Sequence, residues 1–376
     1  MEIQGVADLP LHEGHVPRWL IPIMRALARA IIDVMVLELG PQKCVQRFSN
    51  PLWFQAFNNA IGMDWDSSGS TTVTTAILKS VVNPKEHGFA VVGGKGAQSR
   101  RIPEELEALS STLDFEPSKM IKVSKLVAKV DTTLLQDGHT LYHQAVFVAK
   151  GMWGVVQQGM DVVKRFARRY HWVERENLKF SVEPHEAIAG VKGKAINALE
   201  QKCEGLRKVL VDLVNEDPKK TIAQYQTLVH SGGLDVWLKQ ASLGGVSKSN
   251  RLVYYRPVDV EKVELVLKKV RDAKPATLEE ALLAGLGPSS ALALYLISDL
   301  VYSEPPSFED PVTLPYDPFK YAFTVGGKDG IPYPVDPSVA KQVLRALGEF
   351  IERAKLEAKQ KERALTRLKA LEPHSD

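Results

Sequence analysis

Residues 139–158, HTLYHQAVFVAKGMWGVVQQ, decide the fold class. Two runs rich in β-branched and aromatic residues, 139–148 and 152–158, flank Ala149-Lys150-Gly151, the composition of a β-hairpin. Strand alternation puts His139, Leu141 and His143 on one face of the first strand. Around this hairpin the apolar spacing is mostly helical, so a sheet has to coexist with many helices. The predicted class is α+β, mixed in its N-terminal and central parts.

Working upstream, Leu20, Ile23, Met24, Leu27, Ile31, Val34 and Met35 recur at helical spacing and predict a helix over Pro17–Leu39, stopped by Gly40-Pro41. SNPLWFQAF reads as a turn carrying the pair Trp53-Phe54, and Ser67–Thr72 as a polar corner. Phe89–Val92 reads as a short buried strand opening into a glycine turn with Lys95. Downstream, VVKRFARRYHW (162–172) reads as a helix, and FSVEPHEAI as a short strand ending at Glu183, Pro184 and His185. Residues 190–235 and 258–273 read as helical.

Residues 276–302, ATLEEALLAGLGPSSALALYLISDLVY, carry a motif with a mechanism. Thr277 and Glu280 form a capping box, Gly285-Leu286-Gly287 breaks the helix, and Pro288 starts a second one. This is the pattern of a helix-hairpin-helix element, which offers backbone N–H groups to a phosphate. Such elements often carry Lys or Arg after the second glycine, where this chain has Ser289 and Ser290. An ordinary αα-hairpin is the competing reading. The segmentation this predicts is a mixed catalytic domain over 1–185 and a mostly helical middle domain over 186–275. The helix-hairpin-helix then covers 276–312, and a loop with a long basic helix covers 313–376.

Composition narrows the class of function. The chain has 376 residues, a net charge of +3, 44% hydrophobic residues and two cysteines, Cys44 and Cys203. This excludes wholesale disorder, a disulfide framework and a closed zinc site. Neither a membrane-spanning run nor a signal peptide is apparent, so a cytoplasmic location is predicted. Charge is unevenly spread: Lys341–Leu371 holds nine Lys/Arg and four Glu, a net +5. In that stretch Leu344, Leu347, Ile351, Ala354, Ala358, Lys361, Leu365 and Leu368 keep a 3-4 spacing. That seam predicts a homodimer through the C-terminal helix, docking on the chain's own body being the alternative. Gly93-Gly94-Lys95-Gly96 lacks P-loop spacing, which excludes an ATPase, but with Arg100 and Arg101 it suits phosphate contact.

Several blocks together resemble one family, domain of unknown function 763. They are GVADLPLHEGHVPRWL, NPLWFQA, DWDSSGSTTV, GGKGAQSRRIPEE, AKVDTTLLQDGHTLYH, WGVVQQGM, ARRYHW, EPHEAI and GGKDGIPYPVD, spread from residue 5 to about residue 336. One departure is Asp66, where the family pattern implies His. The resemblance implies a DNA-handling protein, a repair-type nuclease.

Phosphodiester cleavage needs charge stabilisation and an activated nucleophile, usually from carboxylates holding Mg²⁺ or Mn²⁺ or from a basic residue beside a His. The densest polar stretch, Lys129–His185, supplies the candidates. Asp131, Asp137, His143, Gln157 and His171 are the catalytic candidates, and Asp131, Asp137, Glu183 and His185 the ligands of a divalent metal. Candidate DNA contacts are Gly285, Gly287, Ser289, Ser290, Lys95, Arg100, Arg101, Arg168 and Arg169. A satisfied sheet histidine, an Asp137-Gly138 turn and a solvated Arg168-Arg169 face are the structural alternatives. The predicted function is a structure-specific DNA nuclease, with a non-catalytic DNA-binding protein or an RNA-processing nuclease as alternatives.

Overall fold

The computed structural model describes residues 16–63, 68–230 and 254–312, with five positions of a terminal helix, Glu349, Glu352, Ala358, Glu362 and Leu365. The fold is α+β. Helices α1 (Leu20–Leu39), α2 (Pro41–Ser49), α3 (Pro51–Ala60) and α4 (Ser68–Val81) lead through the short α5 (Pro84–His87) into strand β1 (Phe89–Lys95). Helices α6 (Ile102–Leu113) and α7 (Pro117–Lys129) follow, then a π turn over Val130–Leu134 and the short β2 (Leu135–Gln136). The hairpin is β3 (Thr140–Ala149) and β4 (Met152–Asp161), succeeded by β5 (Phe166–Val173), β6 (Ala187–Ala189) and β7 (Ile196–Asn197). Helices α8 (Glu204–Asn215), α9 (Pro218–His230), α10 (Val260–Asp272), α11 (Leu278–Ala284) and α12 (Pro288–Val301) complete the described chain.

The main sheet is antiparallel, in the order β1-β3-β4-β5-β6, while β2 and β7 pair separately. Strands β4 and β5 are buried along nearly their whole length, so both faces of the sheet are covered. Phe89, Val91, Phe147 and Val156 meet α1–α4 on one face. Ala90, Val92, Val146, Val148, Val155 and Trp172 meet α6–α12 on the other. This second core runs from Ala90 to Ile297, so the segments before and after residue 185 share it. Helix α2 lies so close to β4 that a Cβ on Gly154 would overlap Ser49 Oγ, which makes glycine the residue that fits there.

The structure differs from the sequence reading in several elements. VVKRFARRYHW is a turn and then β5, because Arg168 and Arg169 are buried on opposite faces of the sheet instead of lining a solvated helix face. A β-bulge between Leu141 and His143 reverses the alternation, so His143 faces the α1–α4 layer while Leu141 packs into the other core. NPLWFQA is helical, because Asn50 accepts the Trp53 N–H (3.1 Å) and Pro51 stands at the first helical position. The polar corner is the start of α4, and the glycine turn extends β1 to Lys95. Residues Glu183, Pro184 and His185 precede a strand instead of ending one. Trp65, Asp66 and most of the C-terminal seam lie outside the described residues. Within the seam, Ala358 is helical and Leu365 is half-buried against the core of α1–α4. Among the described residues, no helix is long and apolar enough to cross a membrane.

Candidate functional site

The two faces of the sheet carry two separate polar clusters. On the α6–α12 face, the π turn pushes Asp131 inward, where its carboxylate accepts from Gln157 Nε2 (2.5 Å), Trp172 Nε1 (2.9 Å) and His185 Nε2 (2.5 Å). Burial raises the Asp131 pKa, with His185 opposing it. Asp137 accepts from Arg168 Nη1 and the Tyr170 hydroxyl, each at 2.7 Å, and from the His139 N–H at 3.0 Å. Burial works to raise its pKa, yet the bond to His139 and the charge of Arg168 draw it down to about 2. Arg168 also donates to Asp310 (2.7 and 3.0 Å) and to the Val191 carbonyl (2.8 Å).

These carboxylates do not fit a divalent cation. Each is already surrounded by N–H and O–H donors, which point positive charge at the oxygens a metal would need. Glu183 engages elsewhere, accepting from the Gln201 N–H at 3.2 Å. Among the described residues, no three His, Cys, Asp or Glu side chains are grouped as a cation site requires. The structure thus joins Asp131 to His185 and Gln157, and Asp137 to Arg168, without gathering all four candidate ligands.

The α1–α4 face holds the candidate catalytic histidines, His143 and His171. His143, Gln158 and Arg169 are cross-strand partners in one row, and His171 lies in the next. Thr75 Oγ1 lies 2.9 Å from the Thr71 carbonyl and shares a hydrogen bond with His143 Nε2 (3.1 Å). The other ring nitrogen of His143, Nδ1, is buried and has no partner. Burial and the charge of Lys95 hold the His143 pKa down to about 4. His171 donates from Nδ1 to the Ser49 carbonyl (3.0 Å), so its Nε2 is likewise bare. Burial and Arg169 keep that ring well below the usual histidine range. Both imidazoles are neutral bases at pH 7. Arg169 donates to Gln55 (2.8 Å) and lies 4.8 Å over the Phe54 ring. His143 and His171 are therefore separated from Asp131, Asp137 and Gln157 by the sheet itself.

Positive charge gathers where β1 ends. Lys79 bonds both oxygens of Glu105 (2.7 Å) and the Gly93 carbonyl (2.8 Å), while Glu105 takes the Gly93 N–H (2.8 Å). This clamp fixes the Gly93–Arg101 turn between two clefts. One, of about 710 Å³, is lined by Arg18, Arg25, Lys79 and Lys95 and reaches Thr72 and Thr75. The other, of about 460 Å³, is lined by Arg100, Lys125 and Lys129. No carboxylate among the described residues lines either cleft. Arg101 stands apart, exposed beside Glu104.

The hairpin before α12 faces the same side as the second cleft. Leu283 of α11 lines that cleft, and Lys129 Nζ donates to the Leu286 carbonyl (3.3 Å). Burial and the charge of Lys269 lower the Lys129 pKa, so two lysines from α7 and α10 flank the hairpin. Ser289 is exposed, whereas Ser290 is buried.

The family described as Protein of unknown function (DUF763) matches residues 5–335. The chain belongs to that family. No curated protein and no solved structure matches this DUF763 chain. Reading the sequence missed Ser70 and Thr71, which looked like an ordinary polar corner, and Asn58, Thr75 and Asp310, for which no motif exists. Arg18 and Arg25 were scattered single charges and Lys269 half of the pair Lys268-Lys269, and only the fold brings them to the clefts and the hairpin.

Proposed function

We propose that this chain is a DNA-binding phosphodiester hydrolase acting on branched or partly single-stranded DNA in repair, in the cytoplasm. One observation carries the reading: two adjoining clefts lined by six cations besides the clamped Lys79, and by no described carboxylate. A phosphate backbone is the polyanion that such a surface suits. The hairpin of α11 and α12, with Lys129 and Lys269 beside it, would extend the grip without reading bases. Neutral His143, hydrogen-bonded to Thr75 of the larger cleft's lining, is the residue best suited to take a proton from an attacking water. A homodimer through the C-terminal helix belongs to the same proposal. Leu365 already packs on its own chain, so the other seam positions would carry the dimer.

A second reading, a non-catalytic DNA-binding protein, is favoured by the saturation of Asp131 and Asp137 with hydrogen-bond donors. Purified full chain incubated with labelled forked DNA, duplex DNA and RNA, with and without Mn²⁺, separates the two. Cleavage of forked DNA supports the hydrolase, whereas tight binding with no product leaves only the binding protein. Sedimentation of the full chain against a truncation ending at Pro337 tests assembly, and a monomeric full chain refutes the dimer.

A further inference from the structure

Helix α4 begins inside the protein. Ser68, Gly69, Ser70 and Thr71 are all buried, and a first helical turn presents N–H groups with no acceptor inside the helix. Gln158 Nε2 donates to the Ser68 carbonyl (2.7 Å), which fixes its amide against this turn. Thr75, one turn further along, ties His143 to the Thr71 carbonyl. Asn58 of α3 is held by Thr74. Five fully buried polar atoms around these contacts have no partner: Ser70 Oγ, Thr71 Oγ1, Asn58 Nδ2, Gln158 Oε1 and His143 Nδ1. Buried polar groups are almost always satisfied, so this concentration marks a place for a guest.

The guest's chemistry follows from the groups. Ser70 Oγ, Thr71 Oγ1 and Asn58 Nδ2 offer hydrogen bonds to oxygen, whereas Gln158 Oε1 demands a donor. Lys95 acts on His143, and Arg169 is the next residue in its row. The guest must be anionic and must also carry a proton. We propose that the first turns of α4, with Asn58, Gln158 and His143, form a receptor for a protonated phosphoryl group, either inorganic phosphate or a terminal phosphate monoester. Its approach is from the larger cleft, whose lining includes Thr72, Thr75 and Lys95. This site is distinct from the backbone grip of the clefts and from the hairpin.

The test compares phosphate with sulfate at equal ionic strength near neutral pH, by calorimetry on the full chain. Sulfate has no proton to give, so its affinity should fall about tenfold below that of phosphate, the worth of one lost charge-assisted hydrogen bond. Ser70→Ala combined with Thr71→Val should weaken phosphate at least about tenfold on the same basis while circular dichroism stays native. Equal response to both anions overturns the proposal, as does a folded double variant that binds phosphate like the parent. Crystals of the parent soaked in arsenate need no variant. Anomalous density within hydrogen-bonding reach of Ser70 and Thr71 supports the site, and ordered water alone in that place overturns it. Competition with phosphate by a 5′-phosphorylated oligonucleotide, and not by its 5′-hydroxyl form, assigns the site to strand ends. Phosphate binding without such competition assigns it to the free anion.

Discussion

Asp137 sits where a buried arginine, a buried tyrosine and a histidine converge, and its charge belongs to the fold. Its folded pKa of about 2 lies below the ordinary 3.8, so it stabilises the protein fully above about pH 4 and loses that effect as pH falls through about 2. Asp137→Asn should cost about 3 kcal/mol at pH 7, at the low end for a broken buried pair because Asp310 still holds Arg168. The gap to the parent should shrink as pH is lowered from about 4 to about 2. Urea unfolding across that range checks both statements, and a gap that ignores pH would sink the assignment. His143 has the same sign for a different reason. Its folded pKa of about 4 lies below the ordinary 6.5, so the unfolded chain binds its proton first and stability drops as pH falls from about 6.5 towards 4. His143→Gln should flatten that limb of the stability profile, and an unchanged limb would show that His143 is not buried as a neutral base.

The hairpin between α11 and α12 shows how unequal two glycines of one motif can be. Gly285 has φ +128°, a backbone that L side chains rarely adopt, so Gly285→Ala should cost roughly 1–3 kcal/mol. Gly287 is ordinary extended backbone with no atom nearer than 3.9 Å to an added Cβ, and Gly287→Ala should stay within about 0.5 kcal/mol of the parent. Thermal melts of the two variants decide it, a larger loss at Gly287 being the contrary result. This element was legible because Thr277, the glycines and Pro288 are local signals that need no tertiary knowledge. The hairpin of β3 and β4 was legible for the same reason. Strand β5 was not, since buried arginines read as a solvated face until Asp137, Asp310 and Gln55 are seen opposite them. The face of His143 was hidden too, because a one-residue bulge leaves no mark in sequence yet flips every side chain beyond it. For the candidate site, the list of polar residues was readable, but its division between two faces of the sheet was not.

At the scale of the molecule, net charge says little and placement says more. The chain carries +3, of which Lys341–Leu371 supplies +5, so the remaining residues are slightly acidic. A nearly neutral body with two adjacent clefts whose charged lining residues are all cations has concentrated its positive field instead of spreading it. Bound DNA should then release counterions in proportion to the phosphates those cations neutralise. If Arg18, Arg25, Lys95, Arg100, Lys125 and Lys129 each meet one phosphate, the logarithm of the binding constant should fall against the logarithm of salt with a slope of about −5. Lys95→Ala with Arg100→Ala lies on the turn between the clefts and should make that slope shallower by about 2, equally for unrelated duplex and forked sequences. Fluorescence anisotropy over a range of KCl concentrations measures it. A slope that the double variant leaves unchanged would place the DNA elsewhere, and a loss confined to some sequences would mean that the clefts read bases instead of backbone.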